Sequence, residues 1–394
     1  MEKYRRKTAE DLIKLLVPPK PSRRSSGRPV APAGASVLSY QEGNSKRLST
    51  LYDPNCADSY FYQCFSNPLK IGEGSYGIVY KVISKEDGAT YAVKKFKNKI
   101  NSESQWKKYA REIRNHELIP CHENIVKLYV AWQEADYIYM QMEWCQETLE
   151  HFGVRCFPIP GETLWSILLD VTLGLKHLHD NDLLHIDIKL ENIMRSSTGC
   201  WKIGDFGHLI DLSQGPIKDV TEGDAKYLAP ELLLNNCPVT KAADIFSLGI
   251  CFLELSCNIL LPSQGDLWHE LREGIFPVEE AKHLTAELYC LIKSMMHPNF
   301  KERPSVNDIL RAPNLRKLYE MKTPPPTVSA TRGMSSCRLQ KKLRTYASCD
   351  SITRNEASEV QHDTSYAATG RRPQKKKESS SQEFAVLFEH KLTN

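Results

Sequence analysis

The stretch of sequence that decides the fold is His185-Ile186-Asp187-Ile188-Lys189-Leu190-Glu191-Asn192. It is followed, after a short predicted strand pair, by Asp205-Phe206-Gly207 and later by Ala229-Pro230-Glu231. In-line phosphoryl transfer needs a carboxylate to orient the attacking hydroxyl, a cation on the phosphate and oxygen ligands for Mg²⁺. The residues that provide these groups are Asp187, Lys189, Asn192 and Asp205. Any one of them could be a coincidence, but their combination in this order indicates a phosphoryl-transfer site.

A glycine-rich stretch, Gly72-Glu73-Gly74-Ser75-Tyr76-Gly77, lies between two strand-like runs. Glycines there let backbone N–H groups approach phosphate oxygens. Glycine clusters are more often ordinary turns, so this signal is weak by itself. A dinucleotide-binding fold would require a helix directly after the last glycine, and the strand predicted at 78–83 disfavours that alternative.

The next predicted strand contains Ala92 and Lys94, which the two-residue period places on one face. That face could line a nucleotide cleft, provided that a carboxylate orients the lysine. Glu112 and Glu117, both in the following helix, are candidates for this role. We prefer Glu112 because it lies next to the apolar stripe that contains Ile113.

The periodicity predicts two lobes. Strand-like runs at 78–83, 90–96, 125–132 and 137–142 surround one helix at 104–118, and helical spacing dominates after residue 160. We therefore expect an α+β fold with a small β-rich lobe and a larger helical lobe. The expected domains are a disordered basic region 1–66, a folded domain 67–320 and a disordered basic tail 321–394.

Charge is distributed unevenly along the 394 residues. Residues 1–66 carry 11 Lys/Arg against 6 Asp/Glu, and residues 321–394 carry 13 against 7, whereas the middle carries 28 against 35. The acidic middle argues against a nucleic-acid partner. The ends contain a short helix predicted from Thr8, a Pro/Ser/Arg linker and the basic run Arg371–Lys377, and Thr323-Pro324 is a candidate proline-directed phosphorylation site.

No transmembrane segment is expected, because the most apolar stretch, 245–261, is short and interrupted by polar residues. No apolar leader follows Met1, and the 12 cysteines include no C-x-x-C pair, so we expect reduced thiols. We also expect a monomeric protein.

From about Leu69 to about Leu318 the chain resembles the protein kinases. The resemblance implies ATP and Mg²⁺ as cofactors, with Asn192 and Asp205 as metal ligands and Asp187, Lys189, Lys94 and Glu112 as catalytic residues. It also implies a gatekeeper, a hinge that reads adenine, a buried ion pair between Glu231 and Arg303, and an Asp244 that holds the catalytic loop. The residues implied in ATP binding are Ile71, Gly72, Gly74, Gly77, Val79, Ala92, Lys94, Met142 as gatekeeper, and Glu143 and Cys145 of the hinge.

Several departures narrow this resemblance to the Wee/Myt kinases, which inhibit cyclin-dependent kinases. Ile186 stands where many kinases have arginine, so activity should not need a phosphorylated activation loop. Glu222-Gly223-Asp224 is also typical of the Wee/Myt kinases. The intact Asp205-Phe206-Gly207 is closer to the membrane-associated Myt branch, whereas His208 resembles the Wee branch. Leu190 replaces the usual proline, and we expect activity to survive.

The resemblance implies transfer of the γ-phosphate of ATP to tyrosine, threonine or both in the glycine loop of a cyclin-dependent kinase bound to cyclin, which would delay entry into mitosis or meiosis. The expected location is the nucleus, the cytoplasm or both, with peripheral association with intracellular membranes left open. The alternatives are a serine/threonine kinase with an unrelated substrate and a pseudokinase scaffold. Lys94, Asp187, Asn192 and Asp205 argue against the scaffold.

Overall fold

The computed structural model describes residues 4–7, 34–40, 46–74, 77–97, 102–215, 223–234 and 237–322. The chain divides into the units 1–348 and 349–394, and every described residue lies in the first. The helix predicted from Thr8, the Pro/Ser/Arg linker, Thr323 and the basic run Arg371–Lys377 lie outside the described residues.

Six antiparallel strands form the sheet of the first lobe, in the spatial order β1-β5-β6-β4-β3-β2. The strands are β1 (Ser36–Leu38), β2 (Phe65–Glu73), β3 (Gly77–Ser84), β4 (Thr90–Phe96), β5 (Leu128–Glu134) and β6 (Tyr137–Glu143). Successive side chains point to opposite faces. Trp132 and Tyr139 therefore pack on one face, with helix α1 (Tyr60–Cys64), and Ala131 and Met140 on the other, with helix α2 (Glu103–Leu118).

Helix α2 begins where the sequence provides a cap. The Ser102 hydroxyl accepts a hydrogen bond from the Gln105 backbone N–H (3.3 Å), and Glu103 complements the helix dipole in the first turn. Tyr109 and Ile113 lie on the buried face of the helix. This geometry brings one side of α2 against the sheet, close to Lys94 of β4.

The second lobe is helical. Its helices are α3 (Leu149–Cys156), α4 (Gly161–Asp180), α5 (Ala242–Cys257), α6 (Asp266–Arg272), α7 (Val278–Ala281), α8 (Ala286–Met295), α9 (Val306–Leu310) and α10 (Pro313–Lys322). Helix α5 is the centre of this lobe, because every residue from 243 to 257 is buried. Within the described ranges, no helix is both long and apolar enough to cross a bilayer. The expected α+β fold with a β-rich and a helical lobe is confirmed.

Five short strands form two small sheets apart from the six-stranded sheet, in the orders β10-β9-β7 and β11-β8. They are β7 (Cys145–Thr148), β8 (Leu183–Leu184), β9 (Ile193–Ser196), β10 (Trp201–Ile203) and β11 (Ile210–Asp211). The antiparallel pair β9 and β10 is the strand pair that the sequence predicts between Asn192 and Asp205.

Part of the region 1–66 packs on the domain, which differs from the expected disorder. Strand β1 extends the sheet, and Tyr60 of α1 lies edge-on to Trp132 with ring centroids 4.8 Å apart. Residues 4–7 also pack, on the helical lobe, where Arg6 bridges to Ile259. Tyr60, Phe61 and Phe65 bury apolar area against the sheet, which the linker composition of the preceding residues had given no reason to expect.

Candidate active site

The loop of residues 185–192, here called the catalytic loop, follows β8 and is anchored by Asp244 of α5, which is fully buried. Its Oδ2 accepts a hydrogen bond from the His185 backbone N–H (2.9 Å) and its Oδ1 from that of Ile186 (2.8 Å). The His179 imidazole Nε2 lies 3.0 Å from Oδ2. Burial opposes ionisation of Asp244, but these contacts hold its pKa below the usual aspartate range. Asp244 thus anchors the loop, as the resemblance implies.

Asp187 projects from this loop toward the Lys189 ammonium, the His208 ring and the Asn192 amide. Its Oδ2 lies 2.7 Å from Lys189 Nζ and accepts a hydrogen bond from Asn192 Nδ2 (2.9 Å). His208 Nδ1 lies 3.7 Å from the same oxygen. Burial would raise the pKa of Asp187, but His208 and Lys189 outweigh it and lower the pKa. Asp187 is therefore an ionised carboxylate at neutral pH, as an acceptor of a hydroxyl hydrogen bond must be.

Asn192 and Asp205 supply oxygen atoms next to Asp187. Asn192 donates through Nδ2 to Asp187, so its side-chain oxygen is the atom that could bind a cation. The Lys94 charge has the largest effect on the pKa of Asp205 and lowers it. Burial acts in the opposite direction, and the hydrogen bond from the Gly207 N–H adds to the lowering, so the pKa lies below the usual aspartate range. Oxygen ligands of this kind suit Mg²⁺, which takes one or two protein ligands beside substrate phosphates. Among the described residues, no group of three or more His, Cys, Asp or Glu side chains is placed to hold a metal ion.

Lys94 of β4 reaches both lobes. Its Nζ lies 2.5 Å from Glu112 Oε1 and 3.9 Å from Asp205 Oδ2. Burial raises the pKa of Glu112, and Lys94 counteracts this rise. The rival candidate, Glu117, points elsewhere, because it binds Ser39, Tyr40 and Lys46 from the last turn of the helix. The structure therefore brings Lys94 together with the preferred partner.

The glycine-rich turn joins β2 to β3, and the Gly74 N–H donates to the Gly77 carbonyl (2.9 Å). A Cβ at Gly77 would lie 2.9 Å from the Lys95 carbonyl, so the close approach of β4 requires glycine there. A Cβ at Gly72 or Gly74 would meet nothing within 4 Å. Packing therefore does not explain these two glycines, and without side chains their backbone is open to close approach. Ser75 and Tyr76 lie outside the described residues.

The remaining residues implied in ATP binding lie on neighbouring strands. Ala92 pairs with Met142 across β4 and β6, and Val79 pairs with Lys94 across β3 and β4. Ile71 lies in β2, which leads into the glycine-rich turn. Two residues lie at the link between the lobes: Glu143, whose carboxylate is 2.9 Å from Lys202 Nζ, and Cys145, the first residue of β7. Burial raises the pKa of the Cys145 thiol to about 12, so it is protonated at neutral pH.

Three further side chains contact the site although the sequence analysis gave them no role there. Asn115 Nδ2 donates to the Phe206 carbonyl (3.0 Å), and the His116 ring lies edge-on to the Phe206 ring at 4.7 Å. Both follow Glu112 by about one helical turn, which is a signal that could have found them. The third side chain is His208, whose contact with Asp187 has no comparable signal in the sequence.

The segment that leads to Ala229-Pro230-Glu231 is tied to the helical lobe by two buried contacts. Glu231 forms a bidentate pair with Arg303, at 2.6 and 2.8 Å. The Tyr227 hydroxyl donates to Glu254 Oε2 (2.6 Å). A bidentate guanidinium pair fixes orientation as well as distance, so this end of the segment is held firmly in place.

A family model described as a protein kinase domain matches residues 65–315. Together with the two lobes and the geometry around Asp187, this match defines the class of protein. The chain belongs to the protein kinase family.

Individual relatives are more specific. The chain is 45% identical over 295 residues to a Drosophila melanogaster protein named membrane-associated tyrosine- and threonine-specific cdc2-inhibitory kinase. The matched residues make up 73% of this chain and 55% of that protein. It is 39% identical over 282 residues to a Caenorhabditis elegans protein of the same description, named wee-1.3, with 71% and 41% covered. It is 32% identical over 346 residues to Mus musculus Wee1-like protein kinase 2, with 80% and 61% covered.

These similarities confirm the resemblance to the Wee/Myt kinases. Identity is higher to the two proteins named membrane-associated than to the Wee1-like kinase, which agrees with the Myt branch. The chain spans about half the length of these curated relatives.

Proposed function

We propose that this protein transfers the γ-phosphate of ATP to tyrosine, threonine or both in the glycine loop of a cyclin-dependent kinase bound to cyclin, and thereby restrains entry into mitosis or meiosis. The observation that carries the phosphoryl-transfer part is the ionised Asp187 held between Lys189 and Asn192. The relatives' names, which specify cdc2-inhibitory kinases, support the choice of substrate.

In this proposal Asp187 accepts a hydrogen bond from the substrate hydroxyl and orients its oxygen toward the phosphorus. Lys189, 2.7 Å from Asp187, neutralises charge that develops on the transferred group. Lys94, oriented by Glu112, holds the α- and β-phosphates. The backbone of Gly72 and Gly74 covers the phosphates, because no side chain obstructs it.

Asn192 and Asp205 hold Mg²⁺ in this proposal, and the ion supplies positive charge that offsets the phosphate charge. The adenine-side residues are Met142, Glu143 and Cys145, at the end of β6 and the start of β7. Met142 pairs with Ala92 across the sheet, so these two residues narrow the same part of the cleft.

The proposed partner is the cyclin-bound substrate kinase, with no nucleic acid, and the proposed state is a monomer. The proposed location is the nucleus, the cytoplasm or both, with peripheral association with intracellular membranes. The relatives' description as membrane-associated supports the last part.

The decisive experiment combines the full chain with Mg-ATP and a catalytically inactive cyclin-dependent kinase bound to cyclin, and maps phosphates by mass spectrometry. We expect phosphate on the tyrosine, the threonine or both of the substrate's glycine loop. Asp187→Asn should lower the rate by about 100-fold or more, because the amide cannot accept the hydroxyl hydrogen bond as a carboxylate does.

Asp180→Asn is the matched control, since Asp180 is exposed at the end of α4 and pairs only with Lys176 in the described contacts. It should keep the wild-type rate. Phosphate on a generic protein substrate but none on the glycine loop would contradict the proposed substrate. A wild-type rate for Asp187→Asn would contradict the proposed site.

A further inference from the structure

We propose that residues 36–40 and Lys46, here called the N-terminal brace, hold helix α2 in the position in which Glu112 meets Lys94. The brace acts through Glu117, which lies in the last turn of the same helix, five residues after Glu112. Its members are therefore positioning residues that touch neither nucleotide nor substrate. The inference rests on the proposed kinase function, whose lysine and glutamate it positions.

Three donors from the brace converge on the Glu117 carboxylate. The Ser39 hydroxyl donates to Oε1 (3.0 Å) and the Tyr40 backbone N–H to Oε2 (2.7 Å). Lys46 Nζ lies 2.7 Å from Oε1. Both carboxylate oxygens are thus bound by chain that precedes the domain expected from the sequence, so the brace and α2 are directly coupled.

Glu117 needs these partners because of where it lies. Its side chain is only 1% exposed, and it belongs to the last turn of α2, where the helix dipole disfavours negative charge. A buried carboxylate that loses three hydrogen bonds is destabilised, so loss of the brace would drive Glu117 toward water. Since Glu117 is part of a rigid helix, that movement would shift the end of α2.

The brace is itself anchored to the sheet. Strand β1 pairs with β5 in the register Ser36 to Gln133, Val37 to Trp132 and Leu38 to Ala131. Leu38 also packs against the apolar cluster that contains Ile113 of α2. The brace therefore fixes the position of α2 relative to the sheet. It is hydrogen-bonded to β5 and to Glu117, and Leu38 adds an apolar contact with α2.

The end of α2 that the brace holds lies close to the active site. Asn115 binds the Phe206 carbonyl, and His116 contacts the Phe206 ring and, through Nε2, the Val126 carbonyl (2.7 Å). Glu112, about one turn earlier, pairs with Lys94. A displacement that begins at Glu117 would therefore reach the Lys94 pair and the Asp205-Phe206-Gly207 segment together.

The test uses two variants of the full chain. The first, Ser39→Ala with Lys46→Met, removes two of the three donors. The second, Glu117→Gln, removes the charge that they bind. The matched control is Glu103→Gln on the same helix, because Glu103 is exposed and pairs with Lys107 one turn away.

Three quantities are measured: affinity for a non-hydrolysable ATP analogue, kcat and KM for ATP in transfer to the substrate, and hydrogen exchange of α2 amides. We expect both variants to weaken analogue binding and to lower kcat by about tenfold, since charged hydrogen bonds are lost. Amide exchange in α2 should accelerate in both, and Glu103→Gln should match the wild type. Combining the first variant with Glu117→Gln should add little, because both remove one interaction.

Folding is checked by thermal unfolding and by the far-ultraviolet circular dichroism spectrum. If Glu117→Gln does not fold, the Ser39→Ala with Lys46→Met variant decides the question. Wild-type analogue affinity, kcat and α2 exchange in that folded variant would overturn the inference. Failure to label a cyclin-dependent kinase would contradict the proposed function. Analogue binding and amide exchange do not depend on the protein substrate, so these two measurements would still test the brace.

Discussion

Ile186 adopts a φ of 68°, a left-handed conformation that a β-branched residue rarely accepts. Such a conformation costs on the order of 1–3 kcal/mol and persists only where surrounding contacts maintain it. Here the Asp244 carboxylate binds the N–H groups of His185 and Ile186, which fixes the turn from which Asp187 projects. The motif was visible in the sequence, but the turn that aims Asp187 depends on a residue in a distant helix.

His116 provides a pH-dependent prediction at the same scale. Burial lowers its pKa from the ordinary 6.5 to about 4, so the folded protein keeps the ring neutral while the unfolded chain takes up a proton below about pH 6.5. The stability contributed by this neutral ring is complete above that pH and is lost as pH falls toward 4. From pH 7 to pH 5 the loss should be about 2 kcal/mol.

The measurement is the free energy of unfolding by urea at the two pH values. His116→Gln should lower stability at pH 7 but reduce the difference between pH 7 and pH 5. The exposed His269→Gln should retain the wild-type difference. An unchanged difference in His116→Gln would show that other groups cause the acid sensitivity.

At the scale of elements, periodicity predicted the regular helices and strands well. The strand predicted at 90–96 coincides with β4, and the helix predicted at 104–118 differs from α2 by one residue at its start. The strand predicted at 125–132 is shifted from β5, which spans Leu128–Glu134. Most elements without an individual prediction are too short to show a clear period: α1, α3, α6 to α10, β1, β7, β8 and β11.

Gly174 of α4 yields a prediction about how two elements approach each other. A Cβ there would lie 2.7 Å from the Asn124 carbonyl, which accepts the Ile203 N–H (2.9 Å). Gly174→Ala should therefore push these elements apart and cost about 2 kcal/mol of stability. Thermal unfolding measures the change.

Gly161, at the start of the same helix, serves as the control, because a Cβ there would meet nothing within 4 Å. Gly161→Ala should leave stability unchanged or raise it by about 0.5 kcal/mol, since alanine favours the helix. Equal stability of the two variants would contradict the close approach at Gly174.

At the scale of the whole molecule, residues 4–7 pack on the helical lobe far from their position in sequence. Lys7 Nζ lies 3.0 Å from Glu254 Oε1, and its backbone N–H donates to the Asn258 carbonyl (2.8 Å). Burial raises the pKa of Glu254, whereas Lys7 and the Tyr227 hydroxyl counteract the rise. Because Glu254 also binds Tyr227, Lys7 supports a carboxylate that holds the segment before Ala229-Pro230-Glu231.

Lys7→Met should lower the free energy of unfolding by about 3 kcal/mol, since it leaves a buried carboxylate without its cation. Lys282→Met, at an exposed lysine paired with Glu279, should change it by less than about 0.5 kcal/mol. In a Glu254→Gln background Lys7→Met should cost less, because the buried Glu254 charge is gone and only the Glu150 carboxylate, 3.5 Å from Lys7 Nζ, is left to be neutralised. An equal cost in both backgrounds would contradict the ion pair as the cause.

The sequence by itself determined the two-lobed architecture and the set of groups for phosphoryl transfer. Both can be read from neighbouring residues. Hydrophobic periodicity indicates where helices and strands lie, and the motif from His185 to Asp205 contains the groups that phosphoryl transfer needs. The sequence alone also shows that the folded middle of the chain is acidic and that both ends are basic.

Only the tertiary structure decided which partners meet. It placed Glu112 beside Lys94 and Glu117 on the N-terminal brace, and it brought Lys7 to Glu254. These pairs join residues 18, 71 and 247 positions apart. Their contacts depend on how lobes and segments pack, and hydrophobic periodicity reports which face of an element is buried but not what covers it.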